Sequence, residues 1–120
     1  MKRNWELIRK ILVAIENLET IQQAVADTDI AGYAPEVVSY HMMLLYEAKL
    51  IKASCHSSSG GVVTCTASQL TWAGHEFLDK IRSQGMWNKT LVFLRDKGID
   101  LSFDTIKAAA AQVASNIISS

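Results

Sequence analysis

The fold is decided by a helix that runs directly into a strand, in the stretch VSYHMMLLYEAKLI at residues 38–51. Pro35 suits the first turn of a helix and Glu36 favours its positive end, so we predict a helix over residues 35–48. A run of residues typical of β-structure follows at residues 50–55. The chain is therefore expected to change from helix to strand through one short turn.

A hairpin is predicted next. Residues 62–70 form a second β-prone run, and the sequence Ser-Ser-Ser-Gly-Gly at residues 57–61 separates it from the first. Small residues and glycines between two such runs are typical of a hairpin with a flexible tip. If Gly60 is its centre, the two cysteines, Cys55 and Cys65, face each other across the strands; other turn lengths make them diagonal neighbours.

Helices are expected before this unit. Apolar residues recur at helical spacing behind Asn4, a good helix cap, and indicate an amphipathic helix at residues 5–18. Residues 20–26 suit a short second helix, and turn-forming residues predict a loop at residues 27–32.

Further helices are expected after it. Thr71 can cap a helix at residues 72–84 with Gly85 as its terminator, and residues 87–96 continue helically. Ser102 can cap a last helix at residues 103–118. Its apolar stripe consists of Phe103, Ile106, Ala110, Val113 and Ile117. This stripe can pack within the chain or form a homodimer, and the sequence leaves both open.

The predicted fold is mainly α with a two-stranded β-hairpin, in the α+β class. The order helix, helix, helix, hairpin, helix is that of a winged helix-turn-helix. We assign residues 1–85 to this core and residues 86–120 to a C-terminal helical extension, within a single domain overall. A length of 120 residues suits one domain.

Residues 38–51 resemble the third helix and following turn of winged-helix regulators, in which the pattern Ser-x-His-Leu-x-x-Leu-x-x-Ala-Gly-Leu-Ile recurs. Lys49 stands where that pattern has glycine, so we expect a non-glycine residue in a left-handed conformation, at a cost of about 1 kcal/mol. The segment LTWAGHEFL at residues 70–78 is similar to the strand-to-helix segment that follows the wing.

A resemblance to a second family covers nearly the whole chain. It rests on the opening MKRNWELIRKIL, the pair Tyr40-His41, the segment LTWAGHEFLD at residues 70–79, and Trp87. These features resemble a family of small bacterial, phage and prophage proteins that is defined as a domain of unknown function. The resemblance implies a winged-helix fold and a phage or mobile-element setting, and it supplies no catalytic residues.

The composition indicates a folded protein and excludes a disordered tail. Hydrophobic residues make up 49% of the chain and the mean hydropathy is +0.12. No apolar run has the roughly 18 residues that a membrane span needs, and the opening residues do not resemble a signal-peptide core. We therefore expect a cytoplasmic protein.

The net charge of zero hides a segregation of charge along the chain. Residues 1–10 carry +3, residues 11–48 carry −6 with no Lys or Arg, residues 49–97 carry +4, and residues 98–120 carry −1. DNA-binding proteins place cations on the helix that enters the groove and around it, because phosphate contacts supply most of the affinity. The predicted recognition helix lies in the acidic segment, which argues against the usual mode of DNA binding.

We therefore expect a protein-binding module that is not an enzyme. Tyr and Met are enriched in the centres of protein interfaces, and the third helix carries both beside acidic residues. The predicted contact residues are Glu36, Tyr40, Met43, Tyr46 and Glu47. Some of these aromatic residues can instead belong to the core.

The alternative is a DNA-binding transcriptional regulator. It would need scattered cations to converge in space. The candidates are Lys2, Arg3, Arg9, Lys49 and Lys52.

Catalytic and metal chemistry have little support in the sequence. His41 and His75 are better explained by packing, and no phosphate loop, nucleotide fingerprint or nucleophile elbow is present. Cys55 and Cys65 with His56 lack the close spacing of a structural zinc site. In a reducing cytoplasm we expect two ordinary thiols, with a metal or redox pair as the alternative, and no cofactor.

Overall fold

The computed structural model describes residues 1–119 and contains five helices and three strands in that range. In chain order these are α1 (Trp5–Glu16), β1 (Val25–Ala26), α2 (Pro35–Glu47), β2 (Ile51–Ser57), β3 (Val63–Leu70), α3 (Trp72–Ile81), α4 (Gln84–Lys97) and α5 (Phe103–Ser119). The expected α+β class is confirmed. The chain forms two compact units, of which the first is Met1–His75 and the second begins at Glu76.

The sheet of the first unit has three antiparallel strands in the order β1-β3-β2. The predicted hairpin is formed by β2 and β3, and β1 adds to its other side through the pairs Val25↔Ala67 and Ala26↔Thr66. The predicted sheet of two strands was therefore incomplete.

The helix predicted at residues 20–26 is wrong, because β1 and turns occupy this segment. The side-chain oxygen Oε1 of Gln23 accepts the backbone N–H groups of Glu19 and Thr20, which competes with a helical hydrogen-bond pattern. Val25 is 4% exposed and pairs with β3. A buried β-branched side chain stabilises a paired strand more than it stabilises a short isolated helix.

The core of the first unit is formed by one side of α1 and one side of α2 against the sheet. Asn4 caps α1 as predicted, since its side chain accepts the N–H of Leu7 at 3.1 Å. The fully buried aliphatic residues of the two helices are Leu7, Ile8, Ile11, Leu12, Val38, Met42 and Leu45.

The turn between α2 and β2 contains the predicted left-handed residue. Lys49 has φ of 65°, and its N–H donates to the carbonyl of Tyr46. The N–H of Leu50 donates to the carbonyl of Leu45. These two bonds form a Schellman motif, which ends α2 and directs the chain into β2.

Thr71 connects this turn to α3. Its hydroxyl donates to the carbonyl of Lys49 at 2.7 Å, and the same oxygen accepts the N–H of Gly74 at 3.1 Å. Thr71 is therefore the cap that the sequence predicted.

In the second unit, α4 begins earlier than predicted. Ser83 caps it by accepting the N–H of Met86, so Gly85 lies inside the first turn of α4 and does not terminate α3. The helix ends at Gly98, which has φ of 68°. Ser102 caps α5 as predicted, since its hydroxyl oxygen accepts the N–H of Thr105.

α5 packs against α4 within the second unit, and Phe103 meets Phe77 edge to face with 5.0 Å between ring centroids. Within the predicted apolar stripe, Ile106, Ala110 and Val113 are buried, and Ile117 is 47% exposed. Most of the stripe is therefore covered in the single chain, and the homodimer stays a prediction.

Candidate functional site

The outer side of α2 presents the residues predicted to bind a protein. Glu36, Tyr40, Met43 and Glu47 follow one another at spacings of four, three and four residues, which places them along one line of the helix. Tyr46 flanks this line. We call these five residues the α2 face.

The α2 face is accessible over its whole length. Glu36 and Glu47 are exposed, Tyr46 is 57% exposed, and Tyr40 and Met43 are half-buried. The helix carries no Lys or Arg between Pro35 and Glu47. The surface is therefore acidic at both ends, with aromatic and thioether side chains between.

The opposite side of α2 holds the helix in place. Val38, Met42 and Leu45 have no exposed area. A helix with one side packed in this way presents its other side as a rigid surface, which lowers the entropic cost of binding a partner.

His41 anchors α2 to the beginning of α1. It has no exposed area, and its Nδ1 donates to the carbonyl of Val37 at 2.8 Å. Its Nε2 accepts the backbone N–H of Asn4, also at 2.8 Å. Both ring nitrogens are therefore hydrogen-bonded, as expected for a structural histidine. The ring of Tyr40 meets the ring of His41 edge to face, which supports the middle of the α2 face.

A buried polar link joins α2 to β3 and to the segment after β1. The hydroxyl of Ser39 donates to Oδ2 of Asp27 at 2.8 Å, and its oxygen accepts the N–H of Cys65 at 3.2 Å. Ser39 is 1% exposed and Asp27 is 8% exposed. This link was not predicted from the sequence. The serine of the Ser-x-His pattern was visible in the sequence, but nothing local pointed to its partners.

Cys55 and Cys65 form a disulfide between directly opposed residues of β2 and β3, with their Cα atoms 4.1 Å apart. The expectation of two ordinary thiols is therefore wrong. The hairpin register brings the two residues opposite each other, as the sequence allowed for one choice of turn.

The histidines near the hairpin do not join the cysteines in a cluster. His56 contacts the hydroxyl of Ser54 at 3.2 Å through Nε2. Across residues 1–119, no three His, Cys, Asp or Glu side chains lie together in a way that could hold a metal ion.

The cations of the DNA-binding alternative differ in accessibility. Lys2, Arg3, Lys49 and Lys52 are exposed, and the guanidinium of Arg3 lies over the ring of Trp5 at 5.4 Å. Arg9 is 8% exposed, which removes it from any surface that could contact phosphates.

The second unit has an apolar groove between α4 and α5, with a volume of about 550 Å³. Val92, Phe93, Val113 and Ile117 supply its apolar lining. No described helix, from residue 1 to residue 119, has the length and apolar character to cross a membrane.

The sequence is similar to a known protein family and to a bacterial protein. The model of the family described as "Hypothetical protein (DUF2513)" matches residues 2–100, a range that includes α1 to α4 and ends before α5. A Haemophilus influenzae protein described as "Uncharacterized protein" is 41% identical over 118 residues, which cover 98% of this chain and 99% of that protein. No solved structure matches the chain.

Proposed function

This chain belongs to the DUF2513 family, and we propose that it is a non-enzymatic winged-helix protein that binds a protein partner through the α2 face. The winged-helix assignment is supported by the order α1, β1, α2, β2, β3 and by the strand order β1-β3-β2. In this assignment α2 is the recognition helix, and the β2–β3 hairpin is the wing.

The connection before α2 departs from the usual helix-turn-helix. A helix-turn-helix places a helix before its recognition helix, whereas residues 27–34 form turns here. A DNA-binding protein uses that first helix to cross the phosphate backbone. Its replacement by turns therefore favours a partner other than DNA.

The observation that carries the proposal is the composition of the exposed side of α2. Tyr46 exposes 57% of its surface on an ordered helix, next to Met43 and between acidic residues. Exposed aromatic and Met side chains are enriched where protein interfaces have their centre, while a surface without cations forfeits the electrostatic part of DNA affinity. The partner surface is expected to be apolar at its centre and basic at its rim.

The proposed setting is cytoplasmic and related to phages or prophages. Its support is the resemblance of the opening segment, the Tyr40-His41 pair and residues 70–79 to proteins of such origin. A DNA-binding regulator is the second candidate. The exposed Lys49 and Lys52, which lie at the base of the proposed wing, favour it.

The proposal is tested by partner capture from a host lysate, with the tagged wild-type protein and the double variant M43A/Y46A. We expect the double variant to capture at least about tenfold less of the partner, because truncation of residues at the energetic centre of an interface costs more than about 1 kcal/mol each. The matched control is W72A, since Trp72 is 81% exposed and lies on α3, outside the α2 face.

Retention of the partner by W72A together with loss by M43A/Y46A would support the α2 face. Unchanged capture by M43A/Y46A would reject it. Circular dichroism and urea unfolding of each variant verify that the fold is intact.

A further inference from the structure

The Cys55–Cys65 disulfide lies where a solvent-exposed ribbon joins the core of the first unit. β1 pairs only with Thr66 and Ala67 of β3, so beyond these residues β2 and β3 continue as two strands alone. Cys55 is exposed, whereas Cys65 is 2% exposed. The bond therefore joins one residue that solvent reaches and one that the core encloses.

The enclosed cysteine is held by the buried polar link. The N–H of Cys65 donates to Oγ of Ser39 at 3.2 Å, and Ser39 in turn donates to Asp27. The Sγ atom of Cys65 lies 3.6 Å from the carbonyl oxygen of Ser39. In the disulfide this sulfur carries no hydrogen. After reduction the thiol gains one and can donate it to that oxygen, so the core already offers a partner to the reduced cysteine.

We propose that Cys55–Cys65 is a thiol–disulfide exchange site, reduced by an external dithiol that attacks the sulfur of Cys55. Such an exchange site is independent of the proposed binding of a protein partner. A thiolate attacks the disulfide sulfur that it can reach, and the exposure of Cys55 combined with the burial of Cys65 selects the sulfur of Cys55.

The exchange proceeds in two steps. The attacking thiolate forms a bond to Sγ of Cys55, the bond between the two cysteines breaks, and its electron pair goes to Sγ of Cys65, which takes up a proton. The second thiol of the dithiol, as its thiolate, then attacks the sulfur of the first. This closes a cyclic disulfide and releases Cys55 as a thiolate. The protein disulfide gains two electrons and the dithiol loses two.

Reduction is expected to affect the exposed hairpin tip beyond the two cysteines. Two-stranded hairpins are at best marginally stable on their own, and the ribbon beyond Cys55 and Cys65 is closed at its tip by the backbone bonds of Ser58 with Gly61 and Val62. The cross-link is therefore expected to set how ordered this tip is. Cys65 is hydrogen-bonded to Ser39 of α2, so reduction of the disulfide also takes place next to that helix.

The first test measures reduction of the oxidised full chain by dithiothreitol under native conditions. We expect a rate that rises in proportion to the dithiol concentration, which is the behaviour of direct attack. A rate that is independent of the dithiol concentration would overturn the proposal, because unfolding would then precede reduction.

The second test uses a glutathione buffer at the cytosolic ratio of reduced to oxidised form. Structural disulfides resist this pool, whereas we expect at least about one tenth of the molecules to be reduced at equilibrium. A fully oxidised protein under these conditions would identify a structural bond and overturn the proposal.

The third test locates the attacked sulfur with matched variants. C65S leaves a thiol at Cys55, and C55S leaves one at Cys65. We expect the Cys55 thiol to react with an aromatic disulfide reagent at least about tenfold faster than the Cys65 thiol in the native state, and both to react equally in denaturant. Equal native rates, or a faster Cys65, would contradict the assignment.

Folding of these variants is not required for the proposal to be tested. In the wild-type chain, the mixed disulfide formed with glutathione can be mapped by mass spectrometry of its peptides. An adduct on Cys55 supports the proposal, and an adduct on Cys65 overturns it.

Discussion

Lys49 shows how one residue decides the path of the chain at the end of α2. Its φ of 65° lies in the left-handed region, and within residues 1–119 no other residue except glycine has a positive φ. A side chain in this region costs about 1 kcal/mol relative to glycine. The two backbone hydrogen bonds of the Schellman motif offset this cost, because they satisfy the carbonyls of Tyr46 and Leu45.

We predict that K49G raises the free energy of unfolding by roughly 0.5–1 kcal/mol, since glycine removes the strain but also makes the unfolded chain more flexible. The measurement is urea unfolding followed by circular dichroism. The matched control is A48G at the preceding residue, which has φ of −75°. It is expected to lower the free energy of unfolding by about 0.5–1 kcal/mol, because no strain is relieved there. Destabilisation by both variants to the same degree would contradict the role given to Lys49.

Residue roles were predictable where a local backbone rule decides them. Asn4, Lys49 and Thr71 were assigned correctly because a cap or a left-handed turn depends on neighbours a few residues away. The roles of Ser39 and Asp27 were not predictable. Ser39 is bonded to Cys65, 26 residues away in sequence, and to Asp27, 12 residues away. Such long-range pairs follow from the register of the sheet, which the sequence left open.

At the scale of elements, α3 approaches the α2–β2 turn too closely for a side chain at the contact. A Cβ atom on Gly74 would overlap the carbonyl oxygen of Leu50. That carbonyl also accepts the N–H of Thr71, so the backbone there is fixed by the start of α3. The glycine in the segment LTWAGHEFL is therefore explained by packing between elements.

We predict that G74A lowers the free energy of unfolding by at least about 2 kcal/mol, because overpacking against backbone forces one element to move. G85A is the matched control, since Gly85 also lies in a helix and a Cβ atom there meets nothing within 4 Å. It is expected to be neutral or stabilising by up to about 1 kcal/mol. Thermal unfolding of both variants checks this difference, and a G74A variant as stable as wild type would show that the contact is looser than described.

The predictable elements are those that a local signal marks: the cap Asn4, Pro35 in a first helical turn, the cap Ser102, or a β-prone run. The helices α1, α2 and α5 and the strands β2 and β3 were located to within a few residues. β1 was missed because two residues carry no period, and its strand character comes only from pairing with β3. Tertiary pairing outweighed the helical propensity of residues 20–26.

At the scale of the whole molecule, the balance of charge is nearly even in both units. The first unit contains six Lys and Arg against seven Asp and Glu, and the second contains six against five. Neither unit therefore has the strong positive charge that draws a protein to DNA. Whether the protein binds DNA therefore depends on the local arrangement of its cations. In the first unit four of the candidate cations are exposed: Lys2, Arg3, Lys49 and Lys52.

DNA binding through these cations would depend strongly on salt. If these four cations contacted phosphates together, affinity would depend on salt with a logarithmic slope of about −3.6, a loss of roughly 150-fold between 50 and 200 mM salt. The α2 face adds two carboxylates where a recognition helix would meet phosphates, so we expect no binding at either salt. Fluorescence anisotropy with mixed DNA fragments, including the protein's own promoter region, measures this. Tight binding with the full slope, reduced by about two units in K49E/K52E, would show that the cations converge and would make the regulator the better explanation of α2.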